Sequence, residues 1–245
     1  MSKLGLLGRN ISYSFSKTHF TDKFKNENLP YTYENFDIES ISEFPTVLKN
    51  NPDLVGLNVT IPYKEQIIPY LDEVSKKAKK IGAVNTIKIS KSGRLTGYNT
   101  DAYGFKHSIG PLLKPHHNQA LILGTGGASK AVAYTLNELG ITYAYVSRTR
   151  NDIAKFTYSE LTDSIVKAYP IIINCSPVGT HPNVNECPNI PYNGVTKDHL
   201  LYDLIYNPLQ TKFLICGEIQ GAITCNGLEM LELQAAKAWE IWNLI

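Results

Sequence analysis

The stretch Leu121-Ile-Leu-Gly-Thr-Gly-Gly-Ala-Ser129 constrains the fold of this chain most. Its aliphatic start reads as a buried strand, Gly124-x-Gly126 follows at once, and the spacing from Gly127 to Leu139 is helical. That order has a physical use. Glycine permits the tight turn, the missing side chain lets backbone approach a pyrophosphate, and the helix N-terminus offers unpaired N–H groups to it. A G-x-G alone is weak evidence, but a second strand, Tyr143 to Ser147, supplies the context the fingerprint needs. Gly124, Thr125, Gly126, Gly127 and Ala128 are therefore candidate cofactor-binding residues for a dinucleotide, and Ser129 stands where the third glycine is usual.

The residues after the second strand bear on which dinucleotide. An NAD site usually offers an acidic residue to the ribose hydroxyls about twenty residues beyond the glycines. Here the sequence is Ser147-Arg148-Thr149-Arg150. Cationic side chains at that place favour a 2′-phosphate, so NADPH is the expected cofactor, with Ser147 and Arg148 in its site.

Around the turn, strands at Ala120–Leu123, Ile171–Asn174 and Leu200–Ile205 alternate with helical segments, as in βαβ units of a parallel sheet. The first hundred residues read differently. Lys3 to Gly8 is a strand, Arg9 to Lys17 a polar loop, Thr18 to Asn26 a helix, and Thr32 to Phe36 a second strand. Leu54 to Ile61 is a strand ended by Pro62. Lys64 to Lys80 carries helical spacing through Ile67, Ile68, Leu71 and Val74, interrupted by Pro69. Ala83–Ile89 and Arg94–Tyr98 flank a turn at Lys91-Ser92-Gly93, a hairpin signal. Gly227 to Ile245 is helical, with Leu228, Leu231, Ala235, Ala238 and Trp239 on one face. At 245 residues two domains are expected.

Composition narrows the function classes. With 43% hydrophobic and 19% charged residues the chain is globular, and a net charge of +2 with no basic run interleaved with aromatics gives no nucleic-acid surface. The four cysteines show no C-x-x-C spacing, so no zinc site is expected and the thiols read as reduced. No window is apolar enough for a membrane span, and the start of the chain does not read as an export signal, which implies a cytoplasmic protein.

Three polar clusters precede the glycine turn: Ser12, Ser14 and Ser16; Asn58, Thr60 and Lys64; and Asn85, Thr86, Asn99 and Asp101. Hydroxyls and amides at strand ends can hold a hydroxylated substrate, and a lysine can bind a carboxylate or move a proton. Each also has an ordinary reading. Lys64 suits a solvated first turn, the serines suit a loop, and Asp101 suits an N-cap for a helix from Ala102 to Ser108.

Six segments taken in order resemble the shikimate dehydrogenase family: Ser14-Phe-Ser16, Asn58-Val-Thr-Ile-Pro-Tyr-Lys64, Gly82-Ala-Val-Asn-Thr86, Gly97-Tyr-Asn-Thr-Asp101, Gly124-Thr-Gly-Gly-Ala-Ser129, and Asn226-Gly-Leu-Glu-Met-Leu-Glu-Leu-Gln-Ala235. The resemblance implies a Rossmann-like parallel-sheet cofactor domain, residues 102–224, inserted in a discontinuous α/β substrate domain, residues 1–101 and 225–245. It implies Lys64 and Asp101 as the catalytic pair, with Ser14, Ser16, Thr60, Asn85, Tyr206 and Gln234 on the substrate. Leu204 and Gly227 would join the cofactor site, Gly227 near the nicotinamide. Hydride would pass between the nicotinamide and C3 of the ring, reducing 3-dehydroshikimate to shikimate, in a monomer or homodimer.

Some positions depart from the commoner family pattern. Tyr13 stands where histidine is usual, Lys17 where proline is, and Lys76 where an acidic residue often stands. Asp152 takes the place of a second cofactor arginine, and Cys175-Ser176 that of Ala-Thr. Two other readings stay open. One is a quinate/shikimate or aminoshikimate dehydrogenase using NAD; the other is a non-catalytic dinucleotide-binding regulator.

Overall fold

The computed structural model describes residues 2–11 and 14–243; Ser12 and Tyr13, both weighed above, lie outside it. The chain divides into two compact units, Met1–Thr100 with Ala235–Ile245, and Asp101–Gln234.

The first unit contains β1 (Ser2–Gly8), α1 (Phe15–Asn26), β2 (Tyr31–Asp37), α2 (Phe44–Asn50), β3 (Leu54–Val59), β4 (Glu73–Val74), α3 (Lys76–Ile81), β5 (Thr86–Ile89) and β6 (Leu95–Tyr98). Its mixed sheet runs β2-β1-β3-β5-β6-β4. β1 lies parallel to β2 and β3, and β5 antiparallel to β3 and β6. Side chains alternate between two cores, as a strand period of two requires. Leu7, Leu57 and Val59 join Ile67 and Ile87 on one side. Leu4 and Leu6 join Phe20, Phe24 and Tyr33 on the other, where Trp239 and Trp242 also pack.

The second unit contains α4 (Asp101–Ile109), β7 (Gln119–Leu123), α5 (Gly127–Glu138), β8 (Thr142–Ser147), β9 (Ala154–Thr157), α6 (Asp163–Ala168), β10 (Ile171–Asn174), β11 (Leu200–Asp203), α7 (Lys212–Ile219), β12 (Ile223–Cys225) and most of the first half of α8 (Leu228–Asn243). Every strand pair is parallel, in the order β12-β11-β10-β7-β8-β9. This is the doubly wound Rossmann order, which reverses between β7 and β10. Ala120 and Ile122 enter one core and Leu121 and Leu123 the other, so both faces of the sheet are covered.

Five sequence expectations are revised. α1 begins at Phe15 and not Thr18, because the Ser14 hydroxyl caps it by accepting from Lys17 N at 3.3 Å. Lys64 to Lys80 is not one helix but a turn, a 3-10 turn at Ile68–Tyr70, β4 and α3. Ile67, Ile68, Leu71 and Val74 still face the core. Their periodicity recorded burial, while Pro69, which has no N–H, kept the segment from continuing as a helix. β11 stops at Asp203, since Ile205 N turns to the Asp203 side chain at 3.1 Å. Asp101 is the first residue of α4 and not the residue before it. The C-terminal helix starts at Leu228, and Leu244 and Ile245 lie outside the described residues. Among the described residues no helix is long and apolar enough to cross a membrane, and the four cysteines are free thiols.

A Cβ on Gly56 of β3 would collide with the indole of Trp242, whose Nε1 donates to Ile87 O at 2.9 Å. Overpacking of this kind costs about 1–3 kcal/mol. Gly56→Ala is expected to lower the unfolding free energy by that amount in urea titrations. The loss should shrink in a Trp242→Ala background, because the two residues share one contact.

His117 and His199 are buried in the second unit. His199 Nδ1 accepts from Thr196 N at 3.1 Å, which leaves Nε2 to donate to Val166 O at 3.1 Å. Burial is the main cause holding both imidazoles below the ordinary 6.5. The unfolded chain therefore binds protons that the folded chain refuses, and stability rises with pH through that window. The contribution should be intact above about pH 6.5 and lost progressively below it. Unfolding free energies at pH 7.5 and 5.5 check this, and His199→Gln should flatten the difference.

Candidate active site

In the second unit the glycine turn has the geometry a phosphate cradle needs. Gly124 sits at φ +106°, which L side chains rarely adopt, and its N–H is tied to Val146 O at 2.9 Å. Gly126 is exposed and precedes α5, and no atom lies within 4 Å of where its Cβ would stand. The space a Gly126 side chain would take is thus open at the start of α5, where helix N–H groups lack intrahelical partners, and these residues fit a dinucleotide's phosphates. Ser129, in place of the third glycine, donates its hydroxyl to Gly126 O at 2.6 Å and reinforces the turn.

β8 delivers Ser147 and Arg148 beside this turn, with Val146 in register with Leu123. Ser147 is buried and donates to Thr149 O, while Arg148 is exposed. Arg150 is instead engaged with Glu160. Glu160 also accepts from Thr157 N at 2.8 Å, and these bonds hold its carboxyl below the usual range, the Thr157 backbone contributing most.

Across the strand reversal, Cys175 and Ser176 follow β10. A Cβ on Gly124 would meet the Cys175 carbonyl carbon and Ser176 N at 3.4 Å. Asn174 shapes this loop, its Oδ1 accepting from Ser176 N at 3.0 Å and Ser176 Oγ at 2.7 Å. Its Nδ2 donates to Asp203 Oδ1 at 3.0 Å. Asp203 also accepts from Ile205 N and, at 2.6 Å, from Thr211 Oγ1. Burial is the largest influence on this carboxyl and pushes it up to about 6 against those three bonds. Leu204 and Gly227 come together here. The Leu204 carbonyl occupies the place a Gly227 side chain would need, and Gly227 N donates to Ile205 O at 3.0 Å.

In the first unit the polar clusters form a connected floor. Ser16 hydrogen-bonds Tyr33, whose hydroxyl donates to Asn58 Oδ1 at 2.8 Å. Asn58 Nδ2 donates to Thr86 Oγ1 at 3.3 Å. Asn85 Oδ1 accepts from Thr100 N at 2.7 Å and its Nδ2 donates to Thr100 Oγ1 at 3.0 Å, fixing the residue just before Asp101. Lys64 is drawn to the same place, since Val84 N donates to Lys64 O at 2.7 Å and Val59 N to Asn85 O at 2.8 Å. Thr60 and Lys64 are half-buried. Ser14 carries the cap of α1 described above.

In the second unit Asp101 is buried, at 4% exposure, at the start of α4. Gly104, one turn on, lets the helix close on α8: its Cβ would strike Met230 O and lie 3.2 Å from Gln234 Cβ. Asp101 and Gln234 thus occupy neighbouring helices, while half-buried Tyr206 follows the Asp203 loop. Sequence reasoning missed Asn174, Asp203 and Thr211. For the first two the available signal was a polar residue ending an otherwise apolar buried strand, as in Ile171–Asn174 and Leu200–Asp203; Thr211 is the N-cap of α7.

Residues 6–87 match the family model described as the shikimate dehydrogenase substrate binding domain. A shikimate dehydrogenase (NADP(+)) of Carboxydothermus hydrogenoformans is 40% identical, over 98% of this chain and 90% of its own length. The crystal structure of shikimate dehydrogenase 1 from Peptoclostridium difficile superimposes at TM-score 0.85 with 39% identity, covering 99% of this chain and 91% of that one. The Thermus thermophilus enzyme, solved with NADP(H) and shikimate, gives TM-score 0.87 at 30% identity, covering 99% and 94%. Similarity of this extent over nearly the whole of both chains, on a doubly wound cofactor fold with an open glycine turn, shows that this chain belongs to the shikimate dehydrogenase family.

Proposed function

We propose that this chain is an NADP-dependent oxidoreductase that reduces 3-dehydroshikimate to shikimate, reversibly, in aromatic amino acid biosynthesis in the cytoplasm. The observation that carries this reading is full-length family similarity combined with retention of Lys64 and Asp101 in their segments. The non-catalytic regulator has no need of either residue.

When bound, the reduced nicotinamide supplies the hydride. The chain's own residues do the rest. Gly124 to Ala128 and the start of α5 hold the pyrophosphate through backbone N–H groups. Arg148 binds the 2′-phosphate, with Ser147 fixing the loop that presents it. Leu204 and Gly227 set the nicotinamide end. Ser14, Ser16, Thr60, Asn85, Tyr206 and Gln234 orient the ring hydroxyls and carboxylate. The substrate's carbonyl oxygen gains charge as it is reduced, and Lys64 donates the proton it needs, with Asp101 as the partner that orients the lysine. Residues 1–101 and 225–245 act as the substrate domain and 102–224 as the cofactor domain, in a monomer or homodimer.

Steady-state rates with NADP and NAD against shikimate and quinate test the assignment, and a preference for NAD with quinate would overturn it. Lys64→Ala is expected to lower turnover by ~10²–10⁴ with little change in NADPH affinity. Asp101→Asn, which keeps size and removes charge, should fold and bind NADPH yet retain well under half of wild-type turnover.

Arg148→Ala should weaken NADPH roughly ten- to a hundredfold, the worth of a charge-assisted hydrogen bond, and NADH far less. Binding titrations with both nucleotides check this. Equal losses would remove Arg148 from the 2′-phosphate.

A further inference from the structure

The second unit keeps a carboxylate where no ligand can reach it. Asp203, Asn174 and Thr211 are all at 0% exposure. A buried carboxylate is costly unless bonded, and this one takes three donors: the Thr211 hydroxyl, Ile205 N and Asn174 Nδ2. Each donor leads to a separate part of the rim. Thr211 caps α7, its hydroxyl accepting from Leu214 N at 3.4 Å. Ile205 N belongs to the loop from Leu204 to Tyr206. Asn174 passes the connection to Ser176 through both N and Oγ.

The two loops so held each meet a glycine, one at the strand reversal and the other beyond the ends of β11 and β12. Cys175 and Ser176 lie against Gly124, and Leu204 lies against Gly227. β10 and β11 pair in register up to Asn174 and Asp203, so the amide and the carboxylate stand side by side where the strands end. Cys175 and Tyr192 lie near enough to feel its charge, and burial, the larger cause, together with that charge holds both protonated.

We propose that Asp203 is a positioning residue for the reaction: through Asn174, Ile205 and Thr211 it fixes the Cys175–Ser176 and Leu204–Tyr206 loops. It thereby sets nucleotide affinity and turnover without touching either ligand. The role deepens the functional reading above and rests on its placement of the cofactor.

Asp203→Asn keeps the shape and loses the charge. Thr211→Val removes one donor, and Thr211→Ser restores it. NADPH is titrated by its fluorescence without substrate, and shikimate oxidation is then followed at saturating and limiting NADP. Asp203→Asn should lose about ten- to a hundredfold in kcat/KM for the nucleotide, the scale of a small misplacement far from the chemistry. Thr211→Val should show a smaller loss of the same kind, and Thr211→Ser should return to within about twofold of wild type. A folded Asp203→Asn with wild-type NADPH affinity and kinetics, or with only a lowered melting midpoint, overturns the proposal. If Asp203→Asn does not fold, unaltered kinetics in Thr211→Val overturn it. A wild-type protein that binds NADPH but does not oxidise shikimate would refute the substrate assignment, and the NADPH titrations would still decide the role of Asp203.

Discussion

Parallel pairing of β7 with β10 is the constraint on which the second unit depends. Strands in one direction put their carboxyl ends along one edge, and the order reverses between these two, so the connections leaving them depart to opposite sides. With apolar cores on both faces, that edge is where polar chemistry can be presented without exposing the sheet. The glycine turn, the Asn174 loop and the Leu204 loop all lie along it. Their shared problem is to satisfy backbone groups where the ladder stops. Gly124 solves it by a positive φ, and Asn174 and Asp203 solve it with side chains.

What could be read from the sequence was local. The aliphatic run before Gly124, the glycines and the helix after them are contiguous, and each dictates its own backbone. The hairpin of β5 and β6 was equally plain from its turn residues. Lys64 to Lys80 was not, because a helical spacing of apolar residues records only that one side is buried, and Pro69 breaks the hydrogen-bond ladder that would make it a helix. The onset of α1 depended on the Ser14 hydroxyl accepting from Lys17 N at 3.3 Å, a cap that a run of loop-like residues does not announce.

The candidate site divides the same way. Lys64, Asp101 and the glycines stand in short motifs whose residue types announce chemistry. Asn174, Asp203 and Thr211 are ordinary residues in ordinary stretches, and only the closing of the parallel sheet brings them together. The two arginines after β8 look equivalent in sequence. The fold separates them by giving Arg150 to Glu160, whose other bonds, to Thr157, already cap a short turn.

That pairing leaves the two guanidiniums unequal in their response to salt. Glu160 offsets the charge of Arg150 at the end of β8, and exposed Arg148 lies outside the pair. Both partners of the pair are open to solvent, so rising ionic strength weakens it. The bond from Thr157 N to Glu160 is local and short, and it keeps the carboxylate in place when Arg150 is screened away.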